Sequence, residues 1–424
     1  MKTVKIILSM LIAAGSFIYN ASPCHAQSPW TQKADMPTIS AAHASCALDG
    51  KIYVLGGGGG TSTGIKTVQV YDPILNSWDS KADMLSGRSR FPACVFNAKI
   101  LAIGGSQAFK GTPITAIEEY DPVSDSWSHK ADMPIARMYP NAAMVDGKIY
   151  IMAGCTAVFG PIPEVDVYDP STGEWTKAAE MLTPRWMSES IAINGKIYVL
   201  GGEKSSPWPG LRTVEAYDPA TNTWSSKADM ITQRKLMAVC VLNGMIYVFG
   251  GAMGNTTGVL SSVEAYDPEA DTWTERTDMP VSLVQHGGTV LGGKAYLSGG
   301  ILTPGVWSSS TKTMYEYNPD HDSTWTEVID ENIRQQPERL SLYPNYPNPF
   351  NPSTTIRYTI PKSSEVTLTI YDLLGMEIET LVNRVQIPGE YSVIWNGQSY
   401  ASGIYICRLR AGDFTETRKL VLQK

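Results

Sequence analysis

Four arginines recur at one register of the chain: Arg88, Arg137, Arg185 and Arg234. Each stands eleven residues before a Lys or Met that opens a β-rich run (Lys99, Lys148, Lys196, Met245). Two residues further on come Ala42, Arg90, Tyr139, Met187, Leu236 and Gln285, and beside them His43, Phe91, Pro140, Ser188, Met237 and His286. The next column reads Ala44, Pro92, Asn141, Glu189, Ala238 and Gly287, so Glu189 is a carboxylate where its counterparts are small or neutral. Guanidinium, carboxylate and aromatic groups at matched positions suit either recognition of an anionic or sugar-like ligand or proton exchange. A carboxylate in such a strand must be paired or solvated, and Arg185 or Arg90 is the expected partner. His43 and His286 are equivalent, but a metal site needs a third ligand and none stands out among five histidines. No metal is expected. There is no phosphate loop, dinucleotide fingerprint, HExxH or GxSxG pattern, so no cofactor is expected either.

These columns exist because the chain repeats. Gly-Gly doublets at 56–57, 104–105, 201–202, 250–251 and 299–300, with Ala153-Gly154 between, are spaced by about 49 residues, a period that signals a propeller or array. After each doublet comes Tyr-Asp-Pro (71–73, 120–122, 168–170, 217–219, 266–268) or Tyr317-Asn318-Pro319, then Trp78, Trp127, Trp175, Trp224, Trp273 or Trp325. Four strands fit each copy. Strand a ends at a two-residue turn such as Asn194-Gly195, the strongest short hairpin signal. Strand b is the Lys-Ile-Tyr-Val run, strand c is stopped by Pro, and strand d starts at the Trp. Sheets apolar on both faces must stack between like sheets, and six closed in a ring hide them all. The Asp of each Tyr-Asp-Pro sits in a turn, where it caps its own backbone.

The double glycine, the separated Tyr and Trp and the a–b turn, six times in step over about residues 28–328, closely resemble the kelch repeat. The resemblance implies an all-β fold: a six-bladed β-propeller. A seventh strand-d segment, Trp30-Thr31-Gln32, precedes the first strand a and is expected to complete the last blade, with Trp325 the competing segment.

Alternating strand directions put the d–a and b–c loops on one face. That face varies and is where binding is expected: its b–c loops carry Phe109, Phe159, Trp208 and Trp307. The candidate ligand contacts are Arg88, Arg90, Arg137, Tyr139, Arg185, Trp186, Trp208, Arg234, Gln285 and His286. A recurring Arg at a strand start also suits hydrogen bonding between blades, and loop aromatics also suit packing. Trp186, Glu189, Glu203 and Trp208 have no like counterparts in the other copies, which marks the fourth repeat. The leading expectation is a binding module for a protein or glycan. The alternative is an enzyme, because kelch propellers of similar blade number include a sialic-acid mutarotase/epimerase; Glu189 is then the acid–base candidate, with Arg90, Arg185 or Arg234 holding the sugar carboxylate.

The chain ends speak to export. Residues 1–26 read as a signal peptide: Lys2 and Lys5, an apolar Ile6–Ala14 run and a small-residue site at Ala26. That run is too short for the roughly 20 residues of a spanning helix, and no other stretch is a transmembrane candidate. Propeller residues 27–328 and a linker at 329–340 lead to 341–424, where alternating runs with frequent turns predict a small β-sandwich. Its NYPNPFNPSTTI, IYDLLG, GxYxVxW and SGIYICRL elements resemble the C-terminal sorting domain of type IX secretion cargo. That implies engagement of the secretion machinery and a secreted, extracellular or cell-surface location. A net charge of −7 offers no basic stripe to nucleic acid. The cysteines left after such cleavage, Cys46, Cys94, Cys155, Cys240 and Cys407, are odd in number and unpaired in spacing; they read as small buried hydrophobes.

Overall fold

The computed structural model describes residues 28–322 and 340–423, apart from 61–62, 109–110, 158–159, 205–208, 255–257, 344, 346–347, 363, 387–388 and 413. The signal segment, the linker up to residue 339, Trp325, Phe109, Phe159 and Trp208 lie outside the described residues. The chain divides into two units, Met1–Trp325 and Thr326–Lys424.

The first unit is six four-stranded antiparallel sheets. Blade 4 is typical, with Glu189–Ile193, Lys196–Leu200, Val214–Asp218 and Thr223–Lys227 in meander order. Its a–b hairpin closes in two residues, Asn194 and Gly195, at φ 51° and 73°, the paired positive φ of a type I′ turn. Blade 2 makes the same turn with Asn97 and Ala98, at 48° and 57°. Strand b is buried on both faces in every blade, as the stacking argument requires: Ile197, Val199 and Leu200 are fully covered.

In repeats 1, 2, 4 and 5 the Tyr and Trp form a latch to the blade before them. The Tyr71, Tyr217 and Tyr266 hydroxyls donate to Asn76, Asn222 and Asp271 at 2.7, 2.8 and 2.6 Å. Those same side-chain oxygens accept the backbone N–H of Ala34, Ala179 and Ala228. Trp78, Trp224 and Trp273 then donate Nε1 to the carbonyls of the same three alanines at 2.8–2.9 Å. Wide separation in sequence thus becomes one contact in space.

The ring closes with the N-terminal strand. Trp30–Gln32 pairs antiparallel with Met314–Tyr317, completing the sixth sheet. Trp30 plays the latch role for that blade: its ring lies 4.7 Å from Tyr317 and 5.9 Å from Phe249, and Nε1 reaches the Thr277 carbonyl at 3.2 Å.

The second unit pairs a three-stranded sheet (Ser341–Leu342, Ser353–Ile360, Gly389–Asn396) with a four-stranded one (Glu377–Gln386, Ser364–Tyr371, Gly403–Ala411, Phe414–Leu422). Trp395, Phe350, Tyr358, Leu368 and Leu409 fill its core. Among the described residues, no helix is long and apolar enough to cross a membrane.

Candidate functional site

The recurring arginines belong to the scaffold, which corrects their assignment as ligand contacts. Arg88, Arg137, Arg185 and Arg234 are wholly buried and point into their own blades. Arg185 is representative: Nε donates to the Thr183 carbonyl (3.2 Å), and Nη1 to the carbonyls of Gly201 (3.1 Å) and Thr213 (3.0 Å). Nη2 pairs with Glu215 at 2.5 Å. Arg88, Arg137 and Arg234 pair in the same way with Glu118, Asp166 and Glu264. Burial pulls each guanidinium below its usual range while the carboxylate opposes it, the balance of a desolvated but fully hydrogen-bonded pair. The acids stand two residues before the strand-c Tyr. At that register, blades 1 and 6 carry Gln69 and Tyr315, and these are the two blades whose Arg is Ser40 or Leu283. The two columns change together, a signal within the sequence that identifies the arginines as structural.

Two residues on, the geometry turns toward the channel. Ala42, Arg90, Tyr139, Met187, Leu236 and Gln285 all hold φ between 53° and 59°, a left-handed conformation that costs a side-chain-bearing residue about 1–2 kcal/mol. The conformation sends five of the six backbone N–H groups to the neighbouring blade: Ala42 to Gln285, Arg90 to Ala42, Tyr139 to Arg90, Leu236 to Met187 and Gln285 to Leu236, at 2.8–3.1 Å. These links run round the pore and fix where its side chains start.

On that ring one cluster bridges blades. Arg90 donates Nε to the Tyr139 hydroxyl at 2.6 Å. Its guanidinium lies 5.3 Å from the Tyr139 ring centre and 5.1 Å from that of Trp307, within cation–π range. Gln285, from the opposite side of the ring, donates to the same hydroxyl at 3.4 Å. Trp186 meets Tyr139 edge-on at 5.6 Å but is nearly covered, packed with Met138 and Cys155; it supports the platform from behind. Glu203, another singular residue of the fourth repeat, is buried in an ion pair with Lys235.

Next to this cluster lies a central cavity of about 80 Å³, whose walls include His43, Arg90, Tyr139, Asn141, Glu189 and His286. His286 and Glu189 come from different blades and both line it. Burial drives His286 down to about 3 and His43 to about 4, so both imidazoles are neutral at pH 7. His43 is tied to Ser298 Oγ at 2.9 Å, and Gly287 leaves the room it needs. Glu189 is half-buried, and burial pushes its carboxyl up to about 8. The expected partnership with Arg185 or Arg90 is not formed: the first is spent on Glu215, the second on Tyr139 and Trp307. Among the described residues no three His, Cys, Asp or Glu side chains gather as a metal site. The thiols of Cys94, Cys155, Cys240 and Cys407, pushed up to about 12 by burial, stay protonated, and all five described cysteines are free.

Fold and site together define the class: an all-β, six-bladed propeller closed by its own N-terminal strand, followed in the sequence by a separate β-sandwich. Residues 129–300 match the KLHDC2/KLHL20/DRC7 Kelch-repeats domain, and 40–85 and 87–134 match the Kelch motif. The chain belongs to the kelch-repeat proteins. Residues 345–423 match the Secretion system C-terminal sorting domain, which marks the chain for export by type IX secretion and for contact with that machinery. A solved structure titled "Structure of YjhT" is similar in fold, with a TM-score of 0.57 at 14% identity, over 66% of this chain and 95% of that one. No curated protein matches the chain in sequence.

Proposed function

We propose that this protein is an exported binding module that holds a protein or glycan across the channel mouth, with Arg90, Tyr139, Trp307 and Gln285 as its centre. One observation carries the reading: the Arg90 guanidinium sits between the rings of Tyr139 and Trp307, three residues from three blades. Arg, Tyr and Trp supply most binding hot spots, and rings fixed on a rigid scaffold also stack on sugars at little entropic cost. Glycan and peptide arrays probed with the mature chain test this. The strongest hit should weaken at least about tenfold, or ~1.4 kcal/mol, in Arg90→Ala and in Trp307→Ala, with unfolding midpoints retained. Unchanged affinity in both variants overturns the assignment.

A second reading, an isomerase of sialic-acid type, is favoured by Glu189, whose raised carboxyl is protonated at neutral pH and suited to general acid–base work. The cavity weighs against it. Its 80 Å³ falls well short of the roughly 300–1,000 Å³ of small-molecule sites, too little for a nine-carbon sugar acid. Turnover of N-acetylneuraminate by the wild type and its loss in Glu189→Gln support this reading; a wild type without turnover ends it.

A further inference from the structure

The β-sandwich gathers its large apolar residues inside, with one concentrated exception. Leu373, Leu374 and Met376 are 66%, 87% and 61% exposed. They form the tip of the hairpin that joins Ser364–Tyr371 to Glu377–Gln386. The tip is held in shape. Asp372 Oδ1 accepts the backbone N–H of Leu374 and of Met376, both at 2.9 Å, and the Asp372 N–H donates to the Met376 carbonyl at 3.0 Å. Gly375 takes the left-handed position, at φ 83°, which a turn this tight requires. Side chains on a fixed turn are presented outward rather than free to fold back. The pairing of Tyr371 with Ile406 carries Ile404, 37% exposed, past the same end of the sheet, and Arg408 lies 4.4 Å over the Tyr371 ring as a polar border.

An apolar protrusion with a polar border marks an interaction site. We propose that the Leu373–Met376 knob is what a receptor of the secretion system grips, seating it in an apolar pocket. The sorting assignment, on which this rests, says that the machinery engages this domain; the knob says where. Two such tips meeting each other would bury far less than the roughly 1,200–2,000 Å² of a stable interface, so a concave receptor surface is the fitting occupant, not a second copy.

The test uses the full chain in a bacterium that possesses this secretion system, scoring the ratio of extracellular and surface-bound protein to periplasmic protein. Leu373→Ser/Leu374→Ser, which keeps Asp372 and Gly375, should lower that ratio at least tenfold while the periplasmic protein resists protease like the wild type. Ile394→Ser, which removes another exposed apolar residue (68%) from the other sheet, should leave it unchanged. Wild-type export of the double variant overturns the proposal. So does equal loss in Ile394→Ser, or a wild-type dimer that the double variant dissociates. Deleting 341–424 separates the two claims: if the truncated chain is exported normally, the sorting reading itself fails.

Discussion

Replacing Arg185 by Leu should leave Glu215 as a buried carboxylate without a counter-charge. Breaking a buried ion pair from one side costs about 3–5 kcal/mol. The carbonyls of Gly201 and Thr213, which Arg185 now bonds at 3.1 and 3.0 Å, each add about 1 kcal/mol when orphaned. A loss near 5 kcal/mol lowers the propeller's midpoint by on the order of 10 °C. The chain itself supplies the rescue, since blade 1 carries Gln69 at the acid position and blade 6 carries Leu283 at the Arg position. Adding Glu215→Gln removes the stranded charge and keeps an acceptor for the Thr183 N–H, which Glu215 now bonds at 3.4 Å. The double variant should recover about 2–3 kcal/mol, a coupling typical of residues in one network. Denaturant unfolding of the wild type, both single variants and the pair gives the cycle. A single-variant cost under about 1 kcal/mol, or strict additivity, refutes the scaffold role of the arginine column.

Two further outcomes follow from the same geometry. The Glu189 carboxyl is raised from 4.5 to about 8 in the folded chain, so the folded state binds this proton more tightly and loses stability as pH rises from 4.5 through 8. Glu189→Gln should therefore match the wild type near pH 4.5 and exceed it by about 2 kcal/mol or more at pH 9. That is less than the ~5 kcal/mol of the full shift, because solvent reaches the cavity wall; equal pH dependence in urea unfolding refutes the desolvation. At the seam, Trp30→Ala should cost about 3–5 kcal/mol and make 294–322 the first region cut by protease, whereas cleavage spread evenly over the blades contradicts closure by Trp30.

The fold was legible because each blade repeats its punctuation: a two-residue a–b turn, the double glycine (Ala153-Gly154 in one copy) and the Tyr–Trp pair are short-range signals that recur through six copies. The Trp30 closure was legible for the same reason, as a seventh strand-d segment. The site was legible in part. Arg90, Tyr139 and Gln285 stood out at one register, yet no spacing shows that Gln285 crosses the ring to Tyr139 or that Trp307 covers Arg90; closure of the ring sets both. Spacing along the chain alone does not separate the buried arginines from ligand contacts; the strand-c acid that each one faces does. Trp186 is singular in sequence but serves behind Tyr139, since only packing decides which way a loop aromatic turns.

Closure by Trp30–Gln32 also orders events in time. The hydrogen bond from Trp30 to Thr277 spans 247 residues, and pairing with Tyr317 needs nearly the whole propeller. This segment, made before every blade, must wait for the last one before it can dock, and contacts this distant form late because chain entropy resists them. Until residue 317 has emerged, the blades exist as an open row whose final sheet lacks its outer strand.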